Sequence, residues 1–438
     1  MLTELTAGTI ARIKNKSLVD YSQIYSSIKS QTLETIESFG LPLEQENDYR
    51  RNKITELKNC GALVRNNEKS IVSNGKISSA CEACQTGTGS YTSFVSLNCH
   101  RDCYFCFNKN QDNYQFYLKN KKNVNQELTD LLASGVKLKH LALTGGEPLL
   151  HKEEAIDFFR KADELTPETY TRLYTAGDLL DEETLQSFNK YHLDEIRFSI
   201  KMEDSSQKQK HILGKIALAK QYIPRVMVEM PVIPGTKEAM KELILELEEL
   251  EIFGINLLEF CFPLENPQPF REKGFKLKNP PYEIFYNYWY AGGLAVAESE
   301  QICLELVEFA IENKLNLGVH YCSLENKFTG QIYQQNIDHT IGELYTFSER
   351  DYFLKTAKAF GKDQRKVKEL LDQQEISYEF NADFDYIQFP IDAIKYFGKK
   401  NIDLIISSNV IEQGKEGTQI REVDIAWTTP ALFEEQDI

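Results

Sequence analysis

The stretch Cys99-His100-Arg101-Asp102-Cys103-Tyr104-Phe105-Cys106 places three cysteines in one short segment, with three and then two residues between them. A run of β-branched and aromatic residues, 91–97, leads into it, so we predict that the cysteines lie on the loop that leaves a strand. Cysteine thiolates hold iron–sulfur clusters, and a cubane of four irons has four corners to fill. Three thiolates therefore leave one iron open to a reactive ligand, as a catalytic zinc keeps one position free.

A second motif, Leu141-Ala142-Leu143-Thr144-Gly145-Gly146-Glu147-Pro148, is typical of a strand that ends in a glycine-rich turn. We expect Gly145 and Gly146 to let the backbone approach a ligand closely. Glu147 offers a carboxylate that can bind an ammonium group. Each of the two motifs thus follows a predicted strand.

With both motifs in this order, the chain resembles the radical S-adenosylmethionine (radical SAM) enzymes. The resemblance implies that Cys99, Cys103 and Cys106 ligate a [4Fe–4S] cluster whose open iron is chelated by the amino and carboxylate groups of SAM. It implies that the Gly145-Gly146-Glu147 turn binds that amino group. It also implies that SAM is reductively cleaved to methionine and a 5′-deoxyadenosyl radical, which abstracts hydrogen from an inert C–H bond. We expect a flavodoxin or a ferredoxin to supply the electron.

Two other interpretations of the three cysteines are a structural zinc site and a plain electron-carrying cluster. A zinc site needs a fourth protein ligand nearby, and His100 is too close to its neighbours in the loop to serve comfortably. We expect His100 and Asp102 to be solvated loop residues. The coincidence of two motifs after two strands favours the radical SAM interpretation.

Composition and charge limit the classes of function. The chain has 438 residues, and 50 Lys and Arg against 66 Asp and Glu give a net charge of −16, which argues against a nucleic-acid partner. Residues 1–16 contain no apolar signal-peptide core, and no apolar run is long enough to span a bilayer, so we expect a cytoplasmic protein. Nine cysteines, mostly clustered, indicate metal binding rather than disulfides in such a chain.

Residues 1–88 are predicted to form a separate N-terminal region with helices at 18–39 and 48–57. It contains Cys60, Cys81 and Cys84, which suggest a second metal site holding iron, zinc or an auxiliary cluster. Cys322 is the candidate fourth ligand, because a late strand could bring it back to this region, and Cys261 is the runner-up. The alternative is that these cysteines are small buried residues and an inert pair.

Residues 89–335 alternate between strands and amphipathic helices, which predicts an α/β fold with a parallel sheet or partial (βα)6-type barrel. The predicted strands are 92–97, 140–144, 169–174, 195–200, 225–231, 256–262 and 317–321. The predicted helices are 124–134, 153–165, 181–191, 207–222 and 237–250. Right-handed crossovers bring the strand ends to one side, where sites on such folds gather.

That rule adds candidate SAM-binding residues. Ser199 and Lys201 end the fourth strand, where the resemblance implies contacts with the ribose or carboxylate of SAM, although ordinary solvation of a strand end explains them equally well. Phe105 matches the aromatic residue that packs near the adenine in the family. Glu229 could face SAM or substrate from the fifth strand, whereas Met230 is better explained as core.

Residues 336–438 are predicted to form a small α+β domain. We expect helices at 351–360 and 364–374 and strands at 376–380, 385–389, 404–410 and 420–427. This region contains no cysteine, so it is not the cysteine-rich extension of many peptide-modifying radical SAM enzymes.

The sequence says less about the substrate than about the cofactors. A peptide or protein side chain is our first hypothesis, because regions on both sides of the barrel offer docking surfaces and no phosphate-cradling loop is evident. A SAM-dependent C-methyltransferase, with cobalamin held by the C-terminal domain, is the second, although no Asp-x-His-x-x-Gly pattern occurs. A non-catalytic iron–sulfur electron carrier or scaffold is the third.

Overall fold

The computed structural model describes residues 2–46, 48–338, 342–414 and 417–434. These residues divide into two compact units. One unit contains 41–282 and 290–330, and the other contains the chain up to residue 40, 283–289 and the chain from 331 onward. Met1 and residues 435–438, at the ends of the two predicted outer domains, lie outside the described residues.

The strands in the described residues are β1 (Thr3–Glu4), β2 (Leu63–Arg65), β3 (Ser70–Val72), β4 (Ser90–Phe94), β5 (His140–Thr144), β6 (Tyr170–Thr175), β7 (Glu195–Phe198), β8 (Arg225–Val232), β9 (Gly254–Glu259), β10 (Cys261–Phe262), β11 (Leu294–Ala295), β12 (Gly318–Cys322), β13 (Thr346–Phe347), β14 (Leu354–Phe360), β15 (Glu379–Asn381), β16 (Tyr386–Phe389), β17 (Leu404–Gly414) and β18 (Gly417–Thr428). The α-helices are α1 (Ala7–Ile10), α2 (Lys16–Glu37), α3 (Tyr49–Asn59), α4 (Ser79–Ala83), α5 (Tyr114–Tyr117), α6 (Val124–Ala133), α7 (Lys152–Leu165), α8 (Glu182–Lys190), α9 (Ser206–Ala219), α10 (Lys237–Glu249), α11 (Gln268–Glu272), α12 (Phe285–Ala291), α13 (Ser299–Glu312), α14 (Asn326–Asn336) and α15 (Gln364–Gln373). Across the described ranges, every helix is too short or too polar to cross a lipid bilayer.

The first unit is built on a sheet in which β4, β5, β6, β7, β8, β9 and β12 are parallel neighbours in that order. Beyond β12 the sheet continues with β3 and then β2, both antiparallel to their neighbours. Helices α6 to α10 alternate with β4 to β9, as crossovers between parallel strands require. The predicted α/β fold with a partial barrel is therefore confirmed.

The parallel strands have one apolar face and one polar face, because neighbouring residues point to opposite sides of a sheet. Leu143, Ile196 and Phe198 lie on the apolar face, in the main hydrophobic core with Phe159 of α7 and other helix residues. On the other face, strand β7 carries Arg197, which is 2% exposed and pairs with buried carboxylates. The polar face is the side of the sheet on which a site can form.

Helices α6 and α8 begin where the sequence supplies a capping side chain. Asn123 accepts a hydrogen bond from Gln126 N at 3.0 Å, and Asp181 accepts one from Thr184 N at 2.9 Å. Such caps satisfy backbone donors that lack a partner in the first turn, at a gain of about 1 kcal/mol. They fix the starts of α6 and α8 close to the predicted positions.

Two predicted strands of the barrel differ most from the limits that the structure gives them. The strand predicted at 92–97 is β4, which begins at Ser90 and ends at Phe94, so four residues, 95–98, separate it from Cys99. The strand predicted at 256–262 is divided into β9 and the short β10, and β10 pairs with β11 rather than with the main sheet.

The predicted N-terminal region 1–88 is not one domain. Residues up to 40 belong to the unit that contains the C-terminal strands, where β1 pairs with β18. Residues 41–88 belong to the barrel unit, because β3 pairs with β12 and extends the sheet. A predicted amphipathic helix needs an apolar partner, but its periodicity does not say which sheet supplies one.

The second unit contains an antiparallel sheet in the order β1, β18, β17, β14, β16, β15, with β13 beside β14. On one face, Leu371 of α15 shares a buried core with Ile387. On the other face, Leu18 of α2 packs with Phe360 and Ile425. A sheet covered on both faces matches the predicted α+β character of the C-terminal region.

The helix predicted at 351–360 is wrong, because this segment contains β14, which lies between β16 and β17. Its Lys and Ala residues favour a helix intrinsically, but tertiary pairing overrides such weak preferences. The buried lysines have partners from elsewhere: Lys355 Nζ lies 2.6 Å from Asp351 Oδ2, and Lys358 pairs with Glu422.

Asp424, on β18, gives a pH prediction for this unit. Burial raises the pKa of Asp424 to about 6, even though Tyr25 Oη donates a hydrogen bond to Oδ1 at 2.7 Å. The folded protein thus retains a proton that the unfolded chain releases near pH 4, and stability is lost as the pH rises through 6. We expect Asp424→Asn to raise the free energy of unfolding at pH 7.5 by up to about 3 kcal/mol.

Urea unfolding of wild type and variant at about pH 7.5 and below about pH 4 measures this difference. The gain should vanish at the lower pH, where the wild-type carboxyl is protonated in both states. Asp20→Asn on the exposed side of α2 is the matched control and should show no gain at either pH. An Asp424→Asn gain that persists unchanged at low pH contradicts the assignment.

Candidate active site

A cavity of about 570 Å³ lies at the carboxyl ends of the parallel strands, on the edge where sites of such folds gather. The predicted site residues that line it are Cys99, Cys103, Phe105, Cys106, Gly145, Gly146, Glu147, Ser199, Lys201 and Glu229. The structure thus brings both sequence motifs and both strand-end candidates to one cavity.

The three motif cysteines lie on an irregular loop and are partly buried. Burial raises the pKa of the Cys99 thiol, and Glu147, Cys103 and Cys106 are close enough to raise it further. Burial also raises the pKa of Cys106. Thiols such as Cys99 and Cys106, whose pKa is raised, are stabilised as thiolates when they bind a cationic metal centre.

The glycines of the second motif are required by a close approach of two backbone segments. A Cβ atom on Gly146 would lie 1.9 Å from Asn98 O, and one on Gly145, whose φ is +115°, would lie 2.7 Å from Ser96 O. The turn donates hydrogen bonds from Gly146 N to Ser96 O at 3.1 Å and from Glu147 N to Asn98 O at 2.8 Å. We expected these glycines to let the backbone approach a ligand. In the structure, they let the turn pack closely against the segment that leads into Cys99.

Glu147 is 2% exposed and is held by three hydrogen bonds. Its Oε1 accepts from Thr175 Oγ1 at 2.8 Å and from Leu149 N at 3.1 Å, and its Oε2 accepts from Ala176 N at 2.7 Å. Burial nevertheless raises the pKa of Glu147. A carboxylate has about four acceptor positions, so one remains for a donor in the cavity.

Two of the remaining residues predicted to bind SAM lie just after β7, and one lies in the loop 99–106, which we call the cysteine loop. Ser199 is exposed and its backbone N donates to Thr175 O at 3.0 Å, while Lys201 is partly buried. Phe105 packs edge-on against Phe260, with ring centroids 5.4 Å apart. All three line the cavity, and Met230 is 1% exposed in the core as expected.

The floor of the cavity contains a buried charge network that the sequence did not reveal. Arg197 pairs with Glu195 and Glu229, and its guanidinium lies 5.5 Å from the ring centroid of Tyr174. Asn256 Nδ2 donates to Glu229 Oε2 at 2.7 Å. Arg197 and Asn256 overcome the effect of burial and hold the pKa of Glu229 below its usual value. The sequence does contain one signal for this network. Arg197 lies between the apolar residues Ile196 and Phe198 on β7, which indicates that Arg197 faces the opposite side of the sheet from them.

The cysteine loop is attached to two other loops through Arg101. Its Nε donates to Asp178 Oδ2 at 2.7 Å and its Nη2 to Asp178 Oδ1 at 2.8 Å, while Nη1 donates to Asp204. His100 also hydrogen-bonds to Asp178, at 2.7 Å, and stays exposed on the loop, as expected. Asp102, with a fully exposed side chain, is solvated as expected.

The candidates for a second metal site are only partly brought together. Burial raises the pKa of Cys322 to about 12, and Cys84 and Cys81 are near enough to contribute to the rise. Arg197 Nη2 and Asn256 Nδ2 donate to Cys81 Sγ at 3.3 and 3.2 Å. Cys60 is exposed where α3 ends, and among the described residues it has no hydrogen bond with these cysteines.

Among the described residues, no three His, Cys, Asp or Glu side chains stand close enough together to hold a single metal ion. This holds for Cys99, Cys103 and Cys106 as well. A four-iron cubane is larger than one ion and spaces its cysteine ligands more widely, so the donor set and the cavity beside it suit a cluster with an open iron. The fourth acceptor position of Glu147 suits the ammonium of SAM.

Comparison with known proteins identifies the class of protein to which this domain belongs. Residues 94–247 match the family model of the Radical SAM superfamily. The match begins at the end of β4 and includes both motifs. The chain therefore contains a radical SAM domain at 94–247, and it is a radical SAM enzyme; the family implies a [4Fe–4S] cluster and SAM.

One curated relative is a Methanocaldococcus jannaschii protein provisionally named a glycyl-radical enzyme activating enzyme, 25% identical over 69% of this chain and 80% of the relative. Similar solved structures include SuiB of Streptococcus suis bound to its precursor peptide SuiA, with 13% identity, a TM-score of 0.39 and coverage of 74% of this chain and 67% of SuiB. Another is anSMEcpe with bound AdoMet and a peptide, with 15% identity, a TM-score of 0.33 and coverage of 39% and 52%.

Gly146→Ala tests the close approach of the two motifs. The added methyl group would overlap Asn98 O and C, so the turn must move and the Glu147 N to Asn98 O hydrogen bond must lengthen. We expect a loss of about 1–3 kcal/mol in the free energy of unfolding, together with weaker SAM binding. Denaturant unfolding and calorimetric titration with SAM measure the two effects.

Gly214→Ala, in α9, is the control, because its added Cβ would have no atom within 4 Å. It should raise stability by up to about 1 kcal/mol and leave SAM binding unchanged. If Gly146→Ala behaved like Gly214→Ala, the packing of the turn against the cysteine loop would not matter for the site.

Proposed function

We propose that Cys99, Cys103 and Cys106 hold the [4Fe–4S] cluster of this radical SAM enzyme, and that the Gly145-Gly146-Glu147 turn binds the amino group of SAM. The observation that carries the proposal is the meeting of the three thiols and Glu147 at one cavity on the carboxyl edge of the sheet. When bound, the cluster supplies an electron that cleaves SAM to methionine and a 5′-deoxyadenosyl radical, which takes hydrogen from a substrate C–H bond.

The chain's own residues would orient SAM and exclude water. Glu147 is already fixed by three hydrogen bonds, so it loses little side-chain freedom when it accepts a fourth from an ammonium. Ser199 and Lys201, which line the cavity, would contact the ribose or the carboxylate of SAM, and Phe105 would pack beside the adenine. An apolar wall that includes Phe107 and Phe260 limits the access of water to a reactive species.

We further propose that the substrate is a residue of a peptide or protein. Support comes from the name of the curated relative, which describes an enzyme that acts on another protein. The net charge of −16 also disfavours a nucleic-acid substrate. The comparisons do not favour a C-methyltransferase or a non-catalytic iron–sulfur protein. In the cell, a flavodoxin or ferredoxin would supply the electron.

Cys103→Ala should abolish both the reduced cluster and SAM cleavage, because two thiolates hold a cubane much less firmly than three. The experiment is anaerobic reconstitution with iron and sulfide, followed by electron paramagnetic resonance (EPR) and measurement of 5′-deoxyadenosine released from SAM with dithionite. Cys303→Ala is the control, since Cys303 is 0% exposed in the core and should not affect the cluster. Normal deoxyadenosine release by Cys103→Ala would refute the proposal.

We propose that Cys81, Cys84 and Cys322 hold a second iron–sulfur cluster on the polar side of the barrel, because they lie near one another but not close enough to hold a single metal ion. Support comes from their mutual proximity and from the donors that point at their sulfurs, including Asn326 Nδ2 to Cys322 Sγ at 3.2 Å. Hydrogen bonds to sulfur are typical around bound metals. Cys60 is the weakest of the four candidate ligands, because, unlike Cys81 and Cys84, it is not among the main groups that raise the pKa of Cys322.

Metal and acid-labile sulfide analysis of wild type beside a Cys81→Ala, Cys84→Ala double variant tests this site. The double variant should keep the iron and sulfide of one cubane and lose the additional metal, and Cys322→Ala should lose the same metal. Cys60→Ala is the control and should retain it. Equal metal content in wild type and the double variant would eliminate the second site without affecting the proposed cluster ligands.

A further inference from the structure

The cysteine loop has little regular structure of its own. Between residues 99 and 106 the described structure has one backbone hydrogen bond, from Cys106 N to Cys103 O at 3.1 Å. A loop with so few internal bonds has many accessible conformations, and fixing each residue in one of them costs conformational entropy. Contacts from outside the loop must therefore fix the positions of its cysteines.

Arg101 supplies the principal polar contact, beside the packing of Tyr104 and Phe105 against Phe260. Its side chain is only 5% exposed although it lies on a loop, and its guanidinium bonds to Asp178 in a two-pronged pair and to Asp204 with its third nitrogen. A planar guanidinium can satisfy two carboxylates on different segments at once, whereas the compact ammonium of a lysine cannot reproduce that geometry. The contact therefore depends on the orientation of the guanidinium as well as on its charge.

The two carboxylates belong to segments that are themselves rigid. Asp178 follows β6, where Gly177 N donates to Thr175 Oγ1 at 3.0 Å and Thr175 Oγ1 donates to Glu147. Asp204 follows β7, and Gln209 Nε2 donates to its carbonyl at 3.1 Å and to that of Lys201 at 3.3 Å. The anchors of Arg101 are thus continuous with the segments that carry the proposed SAM residues.

We propose that Arg101, Asp178 and Asp204 form a clamp that sets the position of the cysteine loop relative to the segments that bind SAM. The proposal rests on the cluster and SAM sites proposed above. Arg101 is a positioning residue: its guanidinium holds the loop, and the loop in turn places the cluster against the sulfonium. An error of about 1 Å in such a placement costs up to about 100-fold in rate.

Arg101→Lys is the main test, because it keeps the positive charge and removes the fork. In the cluster-free protein we expect hydrogen exchange of backbone amides in 99–110 to become several-fold faster, with no change in the helices of the barrel. In the reconstituted protein we expect the iron content to be retained and kcat for SAM cleavage to fall roughly 10- to 100-fold, with KM changed less than about threefold.

A double-mutant cycle with Asp178→Asn separates the clamp from two independent effects. If the residues act together, Arg101→Lys with Asp178→Asn should be no slower than the worse single variant. Additive losses would overturn the proposal, as would a normal kcat in Arg101→Lys. A lower melting temperature with unchanged kcat and unchanged exchange in 99–110 would show a merely structural role and would also overturn it.

The control pair is Arg160 with Asp157, on α7, where two guanidinium nitrogens donate to one carboxylate oxygen at 2.8 and 2.6 Å on the protein surface. Arg160→Lys should change neither exchange nor kcat. If Arg101→Lys does not take up a cluster, Asp204→Asn replaces it, because that variant keeps the pair with Asp178. An intermediate kcat in Asp204→Asn supports the clamp, and a wild-type kcat overturns it.

Different results would contradict the proposed function and the proposed clamp. If reconstituted wild type releases no deoxyadenosine from SAM, the proposed function fails. If wild type releases it and Arg101→Lys does so at the same rate, only the clamp fails.

Discussion

The hydrogen bond from Glu147 N to Asn98 O, at 2.8 Å, joins the two motifs on which the site depends. It is possible only because Gly146 has no side chain, since any Cβ would overlap Asn98 O. One backbone contact therefore fixes the segment before Cys99 against the turn that carries Glu147. The positions of the proposed cluster ligands and of the carboxylate proposed to bind SAM are, as a result, set by the same few atoms.

The polar face of the sheet explains how a largely buried site can carry so many charges. Arg197 is 2% exposed and pairs with Glu195 and Glu229, and its third nitrogen donates to Cys81. Leaving one member of such a network without its partner would cost several kcal/mol. The network is thus expected to be rigid, and it forms a floor that does not rearrange when a ligand enters the cavity.

Much of the barrel and the core of the site follow from local sequence patterns, because the signals are contained within a few residues. The strand at His140–Thr144 and the helix that begins at Val124 start where they were predicted. Arg101 could not be assigned from sequence, since its partners Asp178 and Asp204 lie far along the chain on other loops. For the same reason, nothing local showed that α2 packs with β18 or that 354–360 is a central strand.

The account depends on SAM reaching an open iron beside Glu147. The most direct measurement is electron–nuclear double resonance of the reduced, reconstituted protein with SAM labelled with ¹⁵N at its amino group and ¹⁷O at its carboxylate. We expect hyperfine coupling of both labels to the cluster, and loss of the nitrogen coupling or a weaker SAM affinity in Glu147→Gln. A cluster whose spectrum is unchanged by labelled SAM, with all four irons bound by protein ligands, would contradict the account.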